Sequence, residues 1–265
     1  MIYTTNNKCF DQKIIHKLAT DFATIVKQQF DDALIAIYVY GSIMTNDYTV
    51  KSDIDFVVIL RKIDRDTKNK VVQIHQTLCE INPEYNRLEG GYHRYCPGDQ
   101  SRNCFGIWVE NAQNIEECVL SIEPDSIDSI LNNGYIVYGC SPERLFTAID
   151  SQTLIDFSVQ YIKNFISKMP ERSSSPKRLF SSVLNLCRSS VYLSAGYFPT
   201  KTDATTRIAQ EYPNYEQLLY KVLFMRSSKE NIDRIEKADI RMITDLAKTI
   251  NRSLTYKLKS LEGMK

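Results

Sequence analysis

Two short runs set the class of fold. ALIAIYVYG (residues 33–41) and DIDFVVIL (residues 53–60) are apolar almost throughout and rich in strand-favouring residues. Such runs read as strands buried on both faces, the condition of sheets in α/β proteins whose helices cover them. A helix precedes them. In DQKIIHKLATDFATIVKQQF, Ile14, Ile15, Leu18, Phe22, Ile25 and Val26 recur at helical spacing, with Asp11 placed to cap the first turn. Further along, DTKNKVVQIHQTLCEI reads as a helix, NRLEGGYHRY as a strand weakened by Gly90 and Gly91, and CFGIWVE as another strand. DSIDSILNNGYIVYG gives a short helix, a turn at Asn133-Gly134 and a last strand.

Strand signals stop near Gly139. From about Leu154 the segments LIDFSVQYIKNFISKM, LFSSVLNLCRSSVYLSAG, DATTRIAQEY, YEQLLYKVLFM and IRMITDLAKTINRSLTYKL all carry the helical period. PERSSSPK (residues 170–177) has the Pro and Ser content of an exposed loop. The expected organisation is an N-terminal α/β domain over residues 1–153 and an all-α helical bundle over residues 154–265.

Composition excludes several functions. The 33 basic and 32 acidic residues nearly cancel, so no strong basic field draws nucleic acid or an anionic membrane. Seven cysteines are scattered without a C-x-x-C pair, which argues against a disulfide framework or a zinc ribbon and for reduced thiols. The start lacks a signal peptide's apolar stretch, and no run approaches the roughly 18 apolar residues of a membrane span. The expectation is a cytoplasmic protein with a small-molecule substrate, no nucleic acid and no membrane. His16, His75 and His93 fit no metal spacing, and the first two read as surface or boundary residues of amphipathic helices.

Asp53 and Asp55 open the second buried strand, although Asp is depleted from strands and seldom lies inside without a partner. Alternation puts both on one face, where two carboxylates repel. A divalent cation removes the conflict, and Mg²⁺ is usually shared between one or two carboxylates and nucleotide phosphates. Gly41 and Ser42 follow the first strand directly, Gly allowing close backbone approach and the Ser hydroxyl able to meet phosphate oxygens. Ser52 adds a second hydroxyl just ahead of the acids. No G-x-x-x-x-G-K-[ST] occurs, which excludes a P-loop enzyme.

YGSIMTNDYTVKSDIDFVVIL resembles the signature of the DNA polymerase β-like nucleotidyltransferase superfamily, and more narrowly of its aminoglycoside (streptomycin/spectinomycin) adenylyltransferases. The narrower resemblance extends through RLEGGY, FGIW, LNLCR and FPTK, in order, to about Pro213. It implies a nucleotidyltransferase domain with a mixed β-sheet followed by the helical domain, with ATP as co-substrate and Mg²⁺ as cofactor. It implies metal ligation by Asp53, Asp55 and Glu89, with Glu89 also the base for the drug hydroxyl. Gly41, Ser42, Ser52, Arg188 and Lys201 would grip the triphosphate, from both domains, in a cleft that closes. Trp108 would line the drug site.

One position departs from the family. Where the streptomycin-modifying members carry an Asp that pairs with the cationic drug, ungapped alignment places Arg178. Either Glu171 or Glu110 serves in its place, or spectinomycin, with fewer positive charges, is the better acceptor. Tyr215 and Tyr220 lie near the family's adenine-contacting Tyr, but neither aligns without a gap. Two rival readings stay open: transfer to another acceptor, such as a lincosamide or a protein hydroxyl, and a non-catalytic nucleotide sensor.

Overall fold

The computed structural model describes residues 12–97, 103–169, 175–228 and 235–262. Cys9, Asp11, Glu171 and the side chains of Ile14 and Ile15 lie outside the described set. The chain divides into two compact units. One ends at Ile149; the other runs from Asp150 and takes in Thr49–Lys51.

The N-terminal unit contains α1 (Gln12–Phe30), β1 (Leu34–Tyr40), β2 (Ile54–Leu60), α2 (Thr67–Ile81), β3 (Leu88–Arg94), β4 (Cys104–Glu110), β5 (Asn114–Leu120), α3 (Pro124–Asn133) and β6 (Tyr135–Gly139). The strands form one sheet in the order β5-β4-β3-β2-β1-β6. β2 and β3 run parallel while the other neighbours are antiparallel, so the sheet is mixed. A parallel pair needs a long crossover, and α2 supplies it.

Side-chain alternation in the central strands feeds two cores. Val39, Phe56, Val58, Tyr92 and Ile107 pack with Leu18, Phe22 and Val26 of α1 and with Val71, Ile74 and Leu78 of α2. Tyr38, Val57 and Ile59 face the other way, onto Ile127 and Ile130 of α3 and onto Phe146. Burial on both faces is what the unbroken apolar runs predict.

Three expectations change here. β5 (NIEECVL) carries no strand signal because it is an edge strand. Glu116, Glu117 and Val119 are exposed, and an edge in water needs no apolar face. Gly90 does not weaken β3: a Cβ there would stand 2.0 Å from the Phe56 carbonyl oxygen, so the missing side chain is what lets the neighbouring strand approach. His75 is not a boundary residue. It is fully buried in α2, with Nε2 3.1 Å from the Tyr92 hydroxyl and aromatic contacts to Phe22 and Phe56.

Burial penalises the charged imidazole, lowering the pKa of His75 to about 3 and that of His93 to about 4. Unfolded histidine titrates near 6.5, so below that pH the unfolded chain binds the extra protons. Stability present above pH 6.5 is therefore expected to fall by about 1.4 kcal/mol per pH unit for each imidazole, down to about pH 4 for His93 and pH 3 for His75. Urea melts of wild type and His75→Gln across this range check it. An identical slope in the two proteins would contradict the assignment to His75.

The described residues of the helical unit form α4 (Ser151–Ser167), α5 (Pro176–Ala195), α6 (Lys201–Glu211), α7 (Glu216–Ser227) and α8 (Lys237–Glu262). Phe165, Leu179, Leu186, Cys187, Ile208, Leu219, Ile243 and Leu246 make its core. Asp150, Ser175 and Thr200 cap α4, α5 and α6 by accepting from backbone N–H groups, and Gly196 ends α5 in the left-handed conformation. Pro176 and Lys177, read from sequence as loop, instead open α5, where a Pro in the first turn loses no helical hydrogen bond. Among the described residues no helix is long and apolar enough to cross a membrane. Cys96 and Cys104, which flank the β3–β4 connection, place their Sγ atoms 2.6 Å apart.

Candidate active site

The polar end of the sheet is assembled by register. Tyr40 of β1 pairs with Asp55 of β2, Asp55 with Glu89 of β3, and Glu89 with Glu110 of β4. Paired residues on neighbouring strands project from the same face, so Asp55, Glu89 and Glu110 stand abreast. Asp53 lies just ahead of β2, and Asp53, Asp55 and Glu89 are all partly exposed rather than sealed in the core. Three acids abreast repel one another, which favours a cation among them.

Gly41 fits against this row. Its φ is +79°, and a Cβ there would stand 2.0 Å from Asp55 Oδ2. Only a residue without a side chain lets the end of β1 pass so close to that carboxylate. Gly41 and Ser42 then enter a single helical turn, Gly41–Ile43, whose carbonyls accept from Met44, Thr45 and Asp47 N–H. The turn fixes Ser42 beside the Asp55 end of β2.

Tyr40 was missed from sequence. Burial, then the neighbouring Asp55, pushes its phenol well above the usual range, with Asp125 and Glu89 adding to the effect against a hydrogen bond to Ser126. The hydroxyl stays protonated beside the acids. Ser52 is held through its backbone, its carbonyl accepting two hydrogen bonds from Arg87.

The donor set is oxygen only, which suits a hard cation such as Mg²⁺ and not a softer metal. Among the described residues no group of three or more His, Cys, Asp or Glu side chains is placed to hold a metal ion by itself. Mg²⁺ seldom uses such a group, taking one or two carboxylates and completing its shell with phosphate oxygens and water. Asp55 and Glu89, adjacent in the parallel ladder, fit that requirement.

Residues 20–87 match the family described as polymerase beta, nucleotidyltransferase, a segment that starts in α1 and stops just short of Glu89. The chain carries a polymerase β-type nucleotidyltransferase domain. Among solved structures, spectinomycin adenyltransferase AAD(9) from Enterococcus faecialis, with ATP and spectinomycin, matches with a TM-score of 0.67 and 17% identity over 89% of this chain and 98% of that one. At that identity the likeness is one of fold: an α/β unit followed by a helical one. The STING-associated CdnE c-di-GMP synthase from Capnocytophaga granulosa aligns at 18% identity over 96% of this chain and 90% of that one, with a TM-score of only 0.25. No curated protein sequence matches.

In this nucleotidyltransferase the helical unit holds Arg188, Lys201 and Arg178. Arg188, midway along α5, donates through Nε to the Pro199 carbonyl at 3.1 Å and lies over the Phe198 ring, which stacks on Tyr192. Lys201 is the first residue of α6, so the α5–α6 corner brings the two cations near a helix N-terminus, a setting that favours anions. Arg178 is exposed in the first turn of α5.

Trp108 is half-buried on β4, opposite Gly91 of β3 and Glu116 of β5, and shares a sheet face with Glu110. Tyr215 donates its hydroxyl to Asp245 at 2.6 Å, whereas Tyr220 is exposed. Glu110, read only as a substitute acid, stands in the carboxylate row itself. Register alone could have found it, and neither the β4 register nor β5 was legible in the sequence.

Proposed function

We propose that this nucleotidyltransferase moves AMP from ATP to a hydroxyl of an aminoglycoside or aminocyclitol antibiotic, spectinomycin before streptomycin. The observation that carries the chemistry is the Asp55–Glu89 pairing in the parallel ladder, with Gly41 fitted against the Asp55 carboxylate. The fold shared with a spectinomycin adenyltransferase crystallised with ATP and spectinomycin supports the acceptor class.

Asp53, Asp55 and Glu89 would hold Mg²⁺, which when bound would supply charge neutralisation at the phosphates and a lowered pKa for the acceptor hydroxyl. Ser42 and Ser52 donate to phosphate oxygens, and Arg188 and Lys201 bring positive charge to the same triphosphate. Glu89 accepts the hydroxyl proton as the acceptor oxygen bonds to the α-phosphorus in line, and the bond to the leaving pyrophosphate breaks. Trp108 offers the acceptor an apolar and cation–π surface. Arg178 disfavours streptomycin, whose guanidinium groups meet a like charge.

The test is incubation of the protein with labelled ATP and Mg²⁺ against spectinomycin, streptomycin and a lincosamide. Label is expected on spectinomycin. Efficient labelling of streptomycin would overturn the role of Arg178, and label on the lincosamide alone would overturn the acceptor class. Glu89→Gln keeps the side chain's shape but cannot take a proton, so its single-turnover rate is expected to drop by about 10²–10⁴. A rate within a few-fold of wild type would remove Glu89 from that role.

A further inference from the structure

Arg87 closes the helical turn Pro83–Arg87, immediately before β3. Its guanidinium is engaged inside the protein on several sides. Nε and Nη2 donate to the Ser52 carbonyl at 3.0 and 2.6 Å, and Nη1 donates to Glu84 Oε2 at 2.8 Å. The plane lies over the Tyr48 ring, 4.6 Å from its centroid. The side chain is only 18% exposed. None of the proposed chemistry uses it.

The placement of these contacts matters. The parallel ladder starts at Ile54 opposite Leu88, so Arg87 bridges the mouth of the two strands that bear Asp55 and Glu89. The Ser52 carbonyl belongs to the peptide leading into Asp53. That peptide is planar, so a two-pronged donor on its oxygen fixes the direction in which Ser52 ends and Asp53 begins. Tyr48, beneath the guanidinium, steadies the approach to the same segment. A Lys at this position would offer a point charge with neither fork nor stacking plane.

We infer that Arg87 is a positioning residue: it aligns Ser52 and Asp53 with Asp55 and Glu89, and does not itself touch nucleotide. The inference rests on the proposed adenylyl transfer only for its kinetic consequence, so two readouts avoid turnover altogether. In Arg87→Lys, hydrogen exchange of the peptide covering residues 48–55 is expected to quicken by about ten- to hundredfold, the scale of a lost charge-assisted pair, while β1 exchanges as in wild type. Affinity for Mn²⁺, measured by electron paramagnetic resonance with a non-hydrolysable ATP analogue, is expected to weaken about tenfold, as when a metal ligand loses its support. With spectinomycin, kcat falls and the acceptor KM holds.

Wild-type exchange and Mn²⁺ affinity in folded Arg87→Lys would overturn the inference. Glu84→Ala, a change that removes the acceptor at a side chain that is 65% exposed, covers the case in which Arg87→Lys does not fold. It is expected to quicken the same exchange about fivefold, as for one net hydrogen bond, and wild-type rates there would equally overturn the role. If no acceptor is labelled while both binding readouts shift as expected, the acceptor reading fails and the positioning role stands.

Discussion

Asp55→Ala is expected to abolish AMP transfer, by more than about 10³-fold, while leaving the protein folded and at least as stable. The activity loss has the scale of removing a principal charge-stabilising group from a preorganised site. Stability should not suffer because Asp55 stands between Tyr40 and Glu89 in the register row, and taking one carboxylate from a line of three relieves repulsion. The measurement is a single-turnover rate set beside a thermal melt of the same preparation. Turnover comparable to wild type would sink the metal role of Asp55, whereas a large drop in melting temperature would mean that the acid row is a structural network.

Gly41→Ala is expected to cost about 10² in rate, although it adds a single methyl outside the acid row. The added Cβ would stand 2.0 Å from Asp55 Oδ2, so the carboxylate or the end of β1 must shift, and a displacement of about 1 Å at reacting groups costs that much. The left-handed backbone adds about 1–2 kcal/mol of strain for a residue with a side chain. Gly196→Ala separates the two effects. Gly196 has φ +77°, but nothing lies within 4 Å of a Cβ there, so it carries the backbone cost without the clash. Gly41→Ala is expected to lose more stability than Gly196→Ala, which shows the backbone cost alone, and only Gly41→Ala loses rate. Equal rates in the two would show that Asp55 tolerates displacement.

Much of the site was legible because its residues sit where strand chemistry is violated. An Asp at the head of a buried strand and a Gly directly after one are anomalies in the local pattern. Tertiary structure explains both by setting Gly41 against Asp55. The α5 and α6 residues, Arg188 and Lys201, enter the candidate site through motif resemblance, and the structure places both at the α5–α6 corner.

What stayed hidden depends on register and burial. β5 looks like solvent-exposed polar chain because, as an edge strand, it is one on most of its surface. His75 has a surface residue's composition but lies where α2 meets Phe56 and Tyr92, and no periodicity shows how deep a helix face will sit. Arg87 follows no motif. Its role arises because a parallel crossover returns the chain to lie beside Ser52, and hydrogen bonds between residues far apart in sequence are set only once the sheet has formed.

The sequence by itself determined the runs of apolar positions, and hence which strands are central and where acids interrupt them. Only the tertiary structure decided which acids stand together. Strand order and register are collective choices, made by the two cores packing against α1, α2 and α3, and they placed Asp55, Glu89 and Glu110 abreast from three separate segments.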